Sequence, residues 1–289
     1  DNWTVKATPI DEYGLNGTGI FSNSLIIENT PPSTDSVKLN ATSASNQTTD
    51  NLTAHPTGTN DPDGHEVTIN YNWYKNGSSD TALNMPFTAP DNQNRTYDFS
   101  GHNNHGTIQG ATWNRTAGYN GAGAYEFDGE NDYVEAGDNG VLSSGSNFTM
   151  SLWAKPGEIL DPDTPHSYFV MDRGRVSLEY SNPNRCDDGL LARIYDGDHH
   201  VACYSKNLSK DEWYFITGTF NGTDIKLYLD GSEVASNSGD WGALDYNTTI
   251  GASRDGGDNF NGTIDDVRIY NRSLSAEEIK LLYANKTNV

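Results

Sequence analysis

The sequence predicts an all-β protein that ends in one short helix, and three observations support this fold class. The 289 residues include 29 glycines, 16 tyrosines and 6 tryptophans, while the leucine-rich periodicity of helical proteins is almost absent. Apolar and polar residues alternate through many short segments, and clusters of Gly, Pro, Asn and Asp separate these segments. The one clear helical run covers residues 276–283.

The early part of the chain carries five predicted strands around a proline-rich linker. In the first of them Trp3, Val5 and Ala7 share one face, as expected of a half-buried strand. The linker covers residues 31–35, since paired prolines cannot continue a hydrogen-bonded ladder, and a turn is predicted at Asp-Pro-Asp-Gly, residues 61–64. The five strands are predicted at residues 3–9, 21–27, 37–41, 51–55 and 67–74.

Three segments of this region resemble Ig-like modules of repetitive archaeal and bacterial surface proteins: Asn-Trp-Thr-Val at 2–5, Asp-Pro-Asp-Gly at 61–64 and Tyr-Asn-Trp-Tyr at 71–74. In those modules the Trp-Thr-Val strand comes late, whereas the other two segments come early. The resemblance implies that residues 1–30 are the C-terminal strands of one Ig-like module and residues 36–85 the N-terminal strands of the next.

Such half modules leave apolar faces and strand edges unpaired. The resemblance therefore implies that a neighbouring copy completes them by strand addition. The alternative is that the two segments close on each other as one permuted sandwich.

Five motifs in the remainder of the chain occur in a characteristic order. They are Asp-Phe-Ser-Gly-His-Asn-Asn-His-Gly at 98–106, Phe-Asp-Gly-Glu-Asn-Asp-Tyr-Val at 127–134, Ser-Leu-Trp-Ala-Lys-Pro at 151–156, Trp-Tyr-Phe at 213–215 and Gly-Thr-Ile-Asp-Asp-Val-Arg-Ile-Tyr at 262–270. Together they resemble the laminin-G-like, concanavalin-A-like jelly-roll family. The resemblance implies that residues 86–289 form an antiparallel jelly-roll sandwich with the short C-terminal helix. This sandwich hosts lectins, adhesion modules and enzymes alike.

The negative net charge limits the classes of molecule that this protein is expected to bind. A net charge of −22 and a pI near 4.4 argue against nucleic acid, whose phosphates would be repelled. The same charge suits calcium binding, a salty medium or solubility alone. No apolar run approaches the ~20 residues that span a bilayer, so no membrane insertion is expected in this segment. The chain opens at Asp1 without a signal peptide, and we interpret it as a mature or excised segment.

N-glycosylation sequons indicate an extracellular or cell-surface location. Asn-x-Ser/Thr occurs 15 times, more often than the Asn, Ser and Thr content alone would produce. The alternative is that these residues only mark turns and strand faces. N-glycans are bulky and lie on protein surfaces. The predicted sites are Asn2, Asn16, Asn40, Asn46, Asn51, Asn76, Asn94, Asn114, Asn147, Asn207, Asn221, Asn247, Asn261, Asn271 and Asn285.

The two cysteines fit an exported protein. Cys186 and Cys203 bracket two β-like runs joined by the turn Asp-Gly-Asp at 196–198, which is a hairpin signal. A pair in this position predicts a disulfide across the hairpin. Two free buried thiols are the alternative.

No catalytic motif is found. Glucanases with the jelly-roll fold place acidic residues at alternate positions of one strand, because only those project into the same cleft. Here the acidic pairs 187–188 and 265–266 are adjacent and point to opposite faces. The pair His199-His200 is interpreted as an exposed loop, and nucleophile elbows and phosphate loops are lacking. We therefore expect no enzyme activity.

A structural calcium ion is the one cofactor that the resemblance implies, near the point where the first and last strands of the jelly roll meet. Its candidate ligands are Asp98, Asp266 and the segment around His102 and His105, since hard cations prefer oxygen ligands on loops. The alternative is that these aspartates cap turns through their own backbone. Second-choice ion sites are Asp128 with its hairpin neighbours, and Asp61 and Asp63 with Glu66.

Aromatic side chains are the candidates for glycan binding, provided that they are exposed on a concave face or a loop rim. Most aromatics of such sandwiches belong to the core, and Trp153, Trp213, Phe215 and Tyr228 are predicted there because they lie in alternating apolar strands. The candidates for a sugar site are Tyr168, Tyr195, Tyr204, Trp241 and Tyr246.

These observations predict a structural repeat or subunit of a glycosylated surface assembly, such as a filament, sheath, S-layer or stalk. The Ig-like halves would join copies into a polymer, and the jelly roll would project. The alternative is a carbohydrate-binding adhesin, in which a lectin-like jelly roll stands on an Ig-like stalk.

Overall fold

The computed structural model describes residues 2–287 except residues 14, 27, 46, 48–49, 51, 91–93, 138–139, 144–145, 160–165, 182–185, 187–188, 243–245 and 254. Of residues 2, 26, 181 and 285–287 it describes the backbone alone. The chain divides into two compact units, Asp1–Ile69 and Asn70–Val289, called here the first unit and the second unit. The all-β prediction with one short C-terminal helix is confirmed.

The first unit consists of two-stranded antiparallel ladders in its described part. β1 pairs with β4, β2 with β3, and β5 with β6. A lone two-stranded ladder has no second layer to cover its faces, and the side chains of Trp3 and Phe21 are accordingly 61% and 63% exposed. The strands are β1 (Asn2–Trp3), β2 (Lys6–Ala7), β3 (Ile20–Phe21), β4 (Leu25–Ile26), β5 (Ser36–Ala41) and β6 (Leu52–Thr57).

Two sequence-based boundaries differ from the structure. Residues 65–73 are irregular where a strand was predicted at 67–74, and regular pairing begins only at Tyr74. The predicted start of the jelly roll at residue 86 also differs, because the second unit begins at Asn70. The segment Leu83–Met85 is fully buried and pairs with the last strand of the sandwich, which places it in the jelly roll.

The second unit is a sandwich of two antiparallel sheets with a small hairpin before it. The hairpin pairs β7 (Tyr74–Lys75) with β8 (Ser78–Ser79). The first sheet contains, in spatial order, β10 (Arg95–Thr96), β11 (Gly106–Gln109), β14 (Tyr133–Ala136), β23 (Thr248–Ile250), β16 (Ser167–Asp172), β17 (Val176–Ser181), β18 (Gly189–Tyr195) and β19 (His199–Tyr204).

The second sheet is built around the longest strand, β24, which also pairs with β9 (Leu83–Met85). The spatial order of the strands in this sheet is β12 (Thr112–Asn114), β13 (Ala124–Asp128), β24 (Asn261–Tyr270), β15 (Phe148–Pro156), β20 (Tyr214–Phe220), β21 (Asp224–Leu229) and β22 (Ser232–Ser238).

The main core lies between the two sheets and follows the period of two of each strand. In β15, for example, Phe148, Met150 and Leu152 face the core. Gly218 in β20 marks a close approach of the sheets, since a Cβ atom there would lie 2.7 Å from Leu178 Cδ2. A larger residue at this position would force the two layers apart.

A second cluster packs on the other face of β15, beneath the helix α1 (Ala276–Thr287). It contains Trp153, Phe215 and Tyr228, which confirms that these aromatics are buried, and Trp213 packs against it in a half-buried position. The Tyr119 ring stacks on Trp153 with 3.5 Å between ring centroids.

A capping box begins this helix. Ser275 Oγ accepts from the Glu278 backbone N–H at 3.2 Å, and Glu278 Oε2 accepts from the Ser275 N–H at 2.8 Å. Leu274 and Ile279, on either side of the cap, are both buried in the second cluster and form a hydrophobic staple. No helix in the described part of the chain has the length and apolar content that a membrane span requires.

A β-bulge in β24 divides its pairing. Residues up to Ile264 pair with β13, and residues from Val267 pair with β9 along the same edge. Between them, the register against β15 shifts from Ser151 to Trp153, and Asp266 adopts the left-handed conformation with φ of 53°. Aspartate tolerates this conformation better than most residues, so the Asp-Asp pair marks the point where β24 changes its partner.

The predicted disulfide is present between Cys186 and Cys203, whose Cα atoms lie 5.6 Å apart. The predicted hairpin is also found, as β18, the turn at 196–198 and β19. The disulfide attaches the segment before β18 to the edge strand β19, and Cys186 is buried. The disulfide therefore attaches Cys186 to β19, the edge strand of the first sheet.

Removing this disulfide should lower the free energy of unfolding by about 3 kcal/mol, because the two cysteines are 17 residues apart and the bond restricts the unfolded chain. We expect this loss in the variant Cys186→Ala/Cys203→Ala, measured by urea unfolding followed by tryptophan fluorescence. Wild type unfolded in dithiothreitol is the matched control. Equal urea midpoints for oxidised and reduced wild type would contradict the expectation.

Candidate functional site

A pocket of about 400 Å³ lies against the strands β16, β18 and β19 of the first sheet. Its walls combine aromatic and charged side chains. The loop that follows β23 closes one side. The lining residues are Tyr168, Met171, Gly174, Arg175, Arg193, Tyr195, His199, Ser253, Asp255 and Asp258.

Strand alternation places the charged and aromatic residues on the pocket side. In β18, Leu190, Ala192 and Ile194 belong to the core between the sheets. Arg193 and Tyr195 alternate with them and therefore point away from the core, toward the pocket. A single strand thus contributes one cation and one aromatic ring to this site.

A tight turn sets the position of Arg175. The Arg175 backbone N–H donates to the Asp172 carbonyl at 3.1 Å, and both intervening residues have positive φ, 51° at Arg173 and 63° at Gly174. Two consecutive positive φ values are typical of a type I′ turn, and because Asp172 pairs with Val176 the hairpin loop has three residues. This loop joins β16 to β17, and the Arg175 guanidinium carbon lies over the Tyr195 ring, 4.3 Å from its centre.

A buried ionic network forms the floor beside the pocket. Glu179 is fully buried, and its Oε1 accepts from Arg193 Nε at 2.5 Å and from Ser177 Oγ at 2.7 Å. Its Oε2 contacts His166 Nε2. Although burial opposes ionisation, Arg193 and His166 outweigh it and lower the pKa of Glu179 to about 2. Arg193 is therefore neutralised within the protein.

The loop 253–258 is held on the sheet by backbone hydrogen bonds. Tyr168 N–H donates to the Asp258 carbonyl at 3.1 Å, and Ser253 N–H donates to the Gly257 carbonyl at 2.8 Å. The Asp258 carboxylate is half exposed and lies 3.9 Å from His166 Nδ1. The acidic side of the pocket is thus positioned by the main chain.

A second, smaller pocket of about 300 Å³ shares Asp258 with the first. Its walls are more acidic, since Asp128 and Glu158 lie there with His166. Asp128 Oδ1 accepts from the Glu130 N–H at 2.8 Å, which is the hairpin role expected of this turn. The two pockets form a continuous polar region around Asp258.

The structure brings together two of the five aromatic candidates for sugar binding, Tyr168 and Tyr195. Trp241 is instead part of the core between the sheets, and Tyr204 packs against that core. Tyr246 is exposed outside the pocket. These three residues therefore lie outside the pocket. The sequence could not exclude them, because alternation along a strand does not show which face of which sheet a side chain reaches.

Several pocket residues were not predicted. His199 was interpreted as part of an exposed loop, but it is the first residue of β19 and lines the pocket. Arg175, Arg193 and Asp258 carried no motif. The available signal was the spacing of Arg193 and Tyr195, two positions apart in a strand whose other face is apolar.

The predicted calcium ligand Asp98 is occupied by its own chain. Oδ1 accepts from the Asn84 and Ser100 N–H groups at 2.9 and 2.8 Å, and Oδ2 accepts from Ser100 Oγ at 2.6 Å and the Asn104 N–H at 3.0 Å. A carboxylate has about four acceptor positions, and these four hydrogen bonds occupy them. Asp98 therefore caps its own turn, which was the alternative to calcium binding. His105 Nδ1 likewise accepts from the Asp98 N–H, and His102 is exposed.

Asp266, the other predicted aspartate ligand of this calcium site, is paired with an arginine. Its carboxylate lies 2.9 Å from Arg268 Nη2, a cation that would repel a second positive charge. In the described part of the chain, one group of three metal-ligating side chains is found, Asp61, Asp63 and His65. It includes both predicted aspartates, with His65 where Glu66 was expected. Calcium binding stays a prediction.

The predicted glycosylation sites whose side chains the structure describes fall into two groups, half-buried and exposed. Asn114, Asn247 and Asn261 are half-buried, and the amides of Asn114 and Asn247 donate to Glu126 and Glu135. Asn46 and Asn51 lie outside the described residues, as do the side chains of Asn2 and Asn285. The exposed sites are Asn16, Asn40, Asn76, Asn94, Asn147, Asn207, Asn221 and Asn271.

Sequence comparisons find similarity in the second unit. Residues 128–280 match the Laminin_G_3 family model, described as the concanavalin A-like lectin/glucanases superfamily. Over 152 residues the chain is 28% identical to adhesion G-protein coupled receptor V1 of Danio rerio. This match covers 48% of the chain and 2% of the receptor.

Solved structures with similar coordinates support the same fold. Domain 4 of AbnA, an extracellular arabinanase of Geobacillus stearothermophilus in complex with arabinotriose, has a TM-score of 0.56 at 17% identity, covering 70% of this chain and 98% of that one. The receptor binding domain of botulinum neurotoxin D has a TM-score of 0.53 at 16% identity, covering 72% of this chain and 53% of that one.

The buried pair predicts acid sensitivity. Because the pKa of Glu179 falls from 4.5 to about 2 on folding, its contribution is present above pH 4.5 and is lost as pH falls toward 2. The shift corresponds to about 3 kcal/mol. We expect urea midpoints measured between pH 5 and pH 2 to fall more steeply for wild type than for Glu179→Leu/Arg193→Leu. Equal pH slopes for the two proteins would contradict this role of Glu179.

Proposed function

We propose, on the premise that this chain belongs to the concanavalin A-like lectin/glucanases superfamily, that it is an extracellular adhesion module whose jelly roll binds carbohydrate. The observation that carries the proposal is the pocket on the first sheet, where Tyr168 and Tyr195 lie among arginine and aspartate side chains. A sugar presents apolar C–H faces and hydroxyl groups together, and this pocket offers partners for both.

Each type of lining residue has a physical role in such binding. The half-buried Tyr195 offers part of its ring as apolar surface for a sugar while keeping a polar hydroxyl group, whereas Tyr168 is 4% exposed and belongs to the pocket wall. Arginine donates and aspartate accepts, so the two sides of the pocket suit the donor and acceptor functions of sugar hydroxyls. The type I′ turn, the disulfide and the Glu179 network hold these groups before a ligand arrives, which reduces the ordering cost of binding.

The similar proteins support this class of function. One similar structure is an arabinanase domain in complex with arabinotriose, and one similar sequence is an adhesion receptor. The chain spans 2% of that receptor, so the extracellular location and an adhesive role are proposals for this chain. We also propose that the jelly roll binds without catalysis, since Glu179 is tied to Arg193 and His166 rather than available as an acid or a base.

Assembly through the first unit is the second candidate function. Its described strands form ladders with exposed apolar side chains, including Trp3, Phe21 and Val37 at 61%, 63% and 62% exposure. Exposed apolar strands with free edges are templates for pairing with another chain. This arrangement favours the interpretation of residues 1–69 as Ig-like segments that neighbouring copies complete in a surface polymer.

The carbohydrate proposal predicts binding on a glycan array and a specific effect of Tyr195. For the tightest ligand on the array, Tyr195→Ala should lower the affinity at least tenfold in isothermal titration calorimetry, about 1.4 kcal/mol, because it removes the ring beneath Arg175. Tyr246→Ala removes an exposed tyrosine outside the pocket and should leave the affinity unchanged. No binding on the array, or equal losses in both variants, would refute the proposal.

The assembly proposal predicts concentration-dependent self-association through the first unit. We expect sedimentation velocity to show polymers of the wild-type chain, and Trp3→Ser/Phe21→Ser to shift them to monomer by removing apolar strand contacts. Leu281→Ser changes an exposed leucine of α1 and serves as the control. A wild-type monomer at every concentration, with strongly protected first-unit amides in hydrogen exchange, would show that this unit folds without a partner.

A further inference from the structure

The two arginines of the pocket differ in their partners. Arg193 donates to the buried carboxylate of Glu179, so its charge is balanced inside the protein. Arg175 lies within ion-pair distance of no carboxylate in the described part of the chain, and its Nε is buried without a hydrogen-bond acceptor. The Tyr195 ring lies 4.3 Å from the guanidinium carbon, and this cation–π contact provides no oxygen acceptor for the N–H groups. Arg175 therefore retains an unused cation and donor edge.

We infer that Arg175 binds the carboxylate of an anionic sugar, such as a uronic acid, and this inference rests on the proposed carbohydrate function. Arg175 lines the pocket, and its guanidinium donates only, so the N–H groups on the pocket side suit an oxygen acceptor of a ligand. The planar fork of guanidinium N–H groups matches the two oxygens of a carboxylate, which binds it more strongly than a neutral hydroxyl does. A lysine would lack this geometry.

The remaining charges restrict the ligand further. Asp255 and Asp258 line the same pocket and Asp258 is half exposed, so a second negative group on the ligand would be repelled. The net charge of −22 also disfavours densely anionic polymers. The pocket thus fits a sugar with one carboxylate and several hydroxyls, whose hydroxyls reach Asp255 and Asp258 while Arg175 holds the acid.

The test compares three methyl β-glycosides that differ only at C6: the glucuronide, the uncharged glucuronamide and the glucoside. The full chain is titrated with each by isothermal titration calorimetry. We expect the acid to bind at least tenfold more tightly than the amide, with the advantage decreasing as salt is raised. The same comparison with galactose-derived sugars covers the other common epimer.

Variants assign the effect to Arg175. Arg175→Gln should abolish the preference for the acid, and Arg175→Lys should retain only part of it. Arg115→Gln removes the same charge from an exposed position after β12 and should leave the preference intact. Thermal unfolding checks that each variant is folded. If Arg175→Gln does not fold, the result for Arg175→Lys decides the test.

The outcomes separate this inference from the proposed function. Equal affinity for acid and amide overturns the anionic ligand and leaves carbohydrate binding in place. A preference for the acid that survives in Arg175→Gln also overturns it. Failure of the array and of all these glycosides overturns both proposals together.

Discussion

The buried carboxylate of Glu179 is the interaction on which the arrangement of the pocket depends. It lies on β17, accepts from Arg193 on β18 and from Ser177 on its own strand, and contacts His166 just before β16. A charge in this fully buried position is tolerated only because its hydrogen-bonding capacity is used and an opposite charge is adjacent. The same contacts connect β17, β18 and the residue before β16, which lie behind the pocket.

The position of this network explains why the outer side of the first sheet can carry a site at all. Most of the apolar residues of the sandwich are used between the two sheets, where Gly218 permits close packing against Leu178. The outer face of the second sheet is covered by α1 through the cluster around Trp153. On the outer side of the first sheet, Arg193 pairs with Glu179, and the pocket lies beside this pair.

The two units differ in what their strands can bury. In the second unit each sheet covers the other, so alternation produces a core. In the first unit the described ladders have two strands each, and alternation produces apolar faces that stay exposed. The same local pattern thus has opposite consequences, because burial requires a second layer and is not a property of a strand alone.

The sequence by itself determined the features that depend on near neighbours. The jelly roll was inferred from the resemblance of its motifs to a known family, while the Cys186–Cys203 hairpin and the burial of Trp153 follow from turn chemistry and strand alternation. The helical run that begins at Ala276 was also visible in the sequence. The sequence also indicated Tyr168 and Tyr195 as sugar candidates, though without separating them from Trp241 and Tyr204. The predicted strand at 67–74 failed because alternation shows which side chains could share a face, but not whether a partner strand exists.

Only the tertiary structure decided which charged groups meet. Arg175 and Glu179 come from the β16–β17 hairpin, Arg193 from β18 and Asp258 from the loop after β23, and no motif relates these three segments. Their roles depend on pairing: Arg193 is neutralised by Glu179, while Arg175 is not neutralised by any described carboxylate. The structure likewise assigned Asp98 to its turn and Asp266 to a bulge beside Arg268. Electrostatic interactions act between residues that are near in space, so their sign and strength at a site are set by the fold.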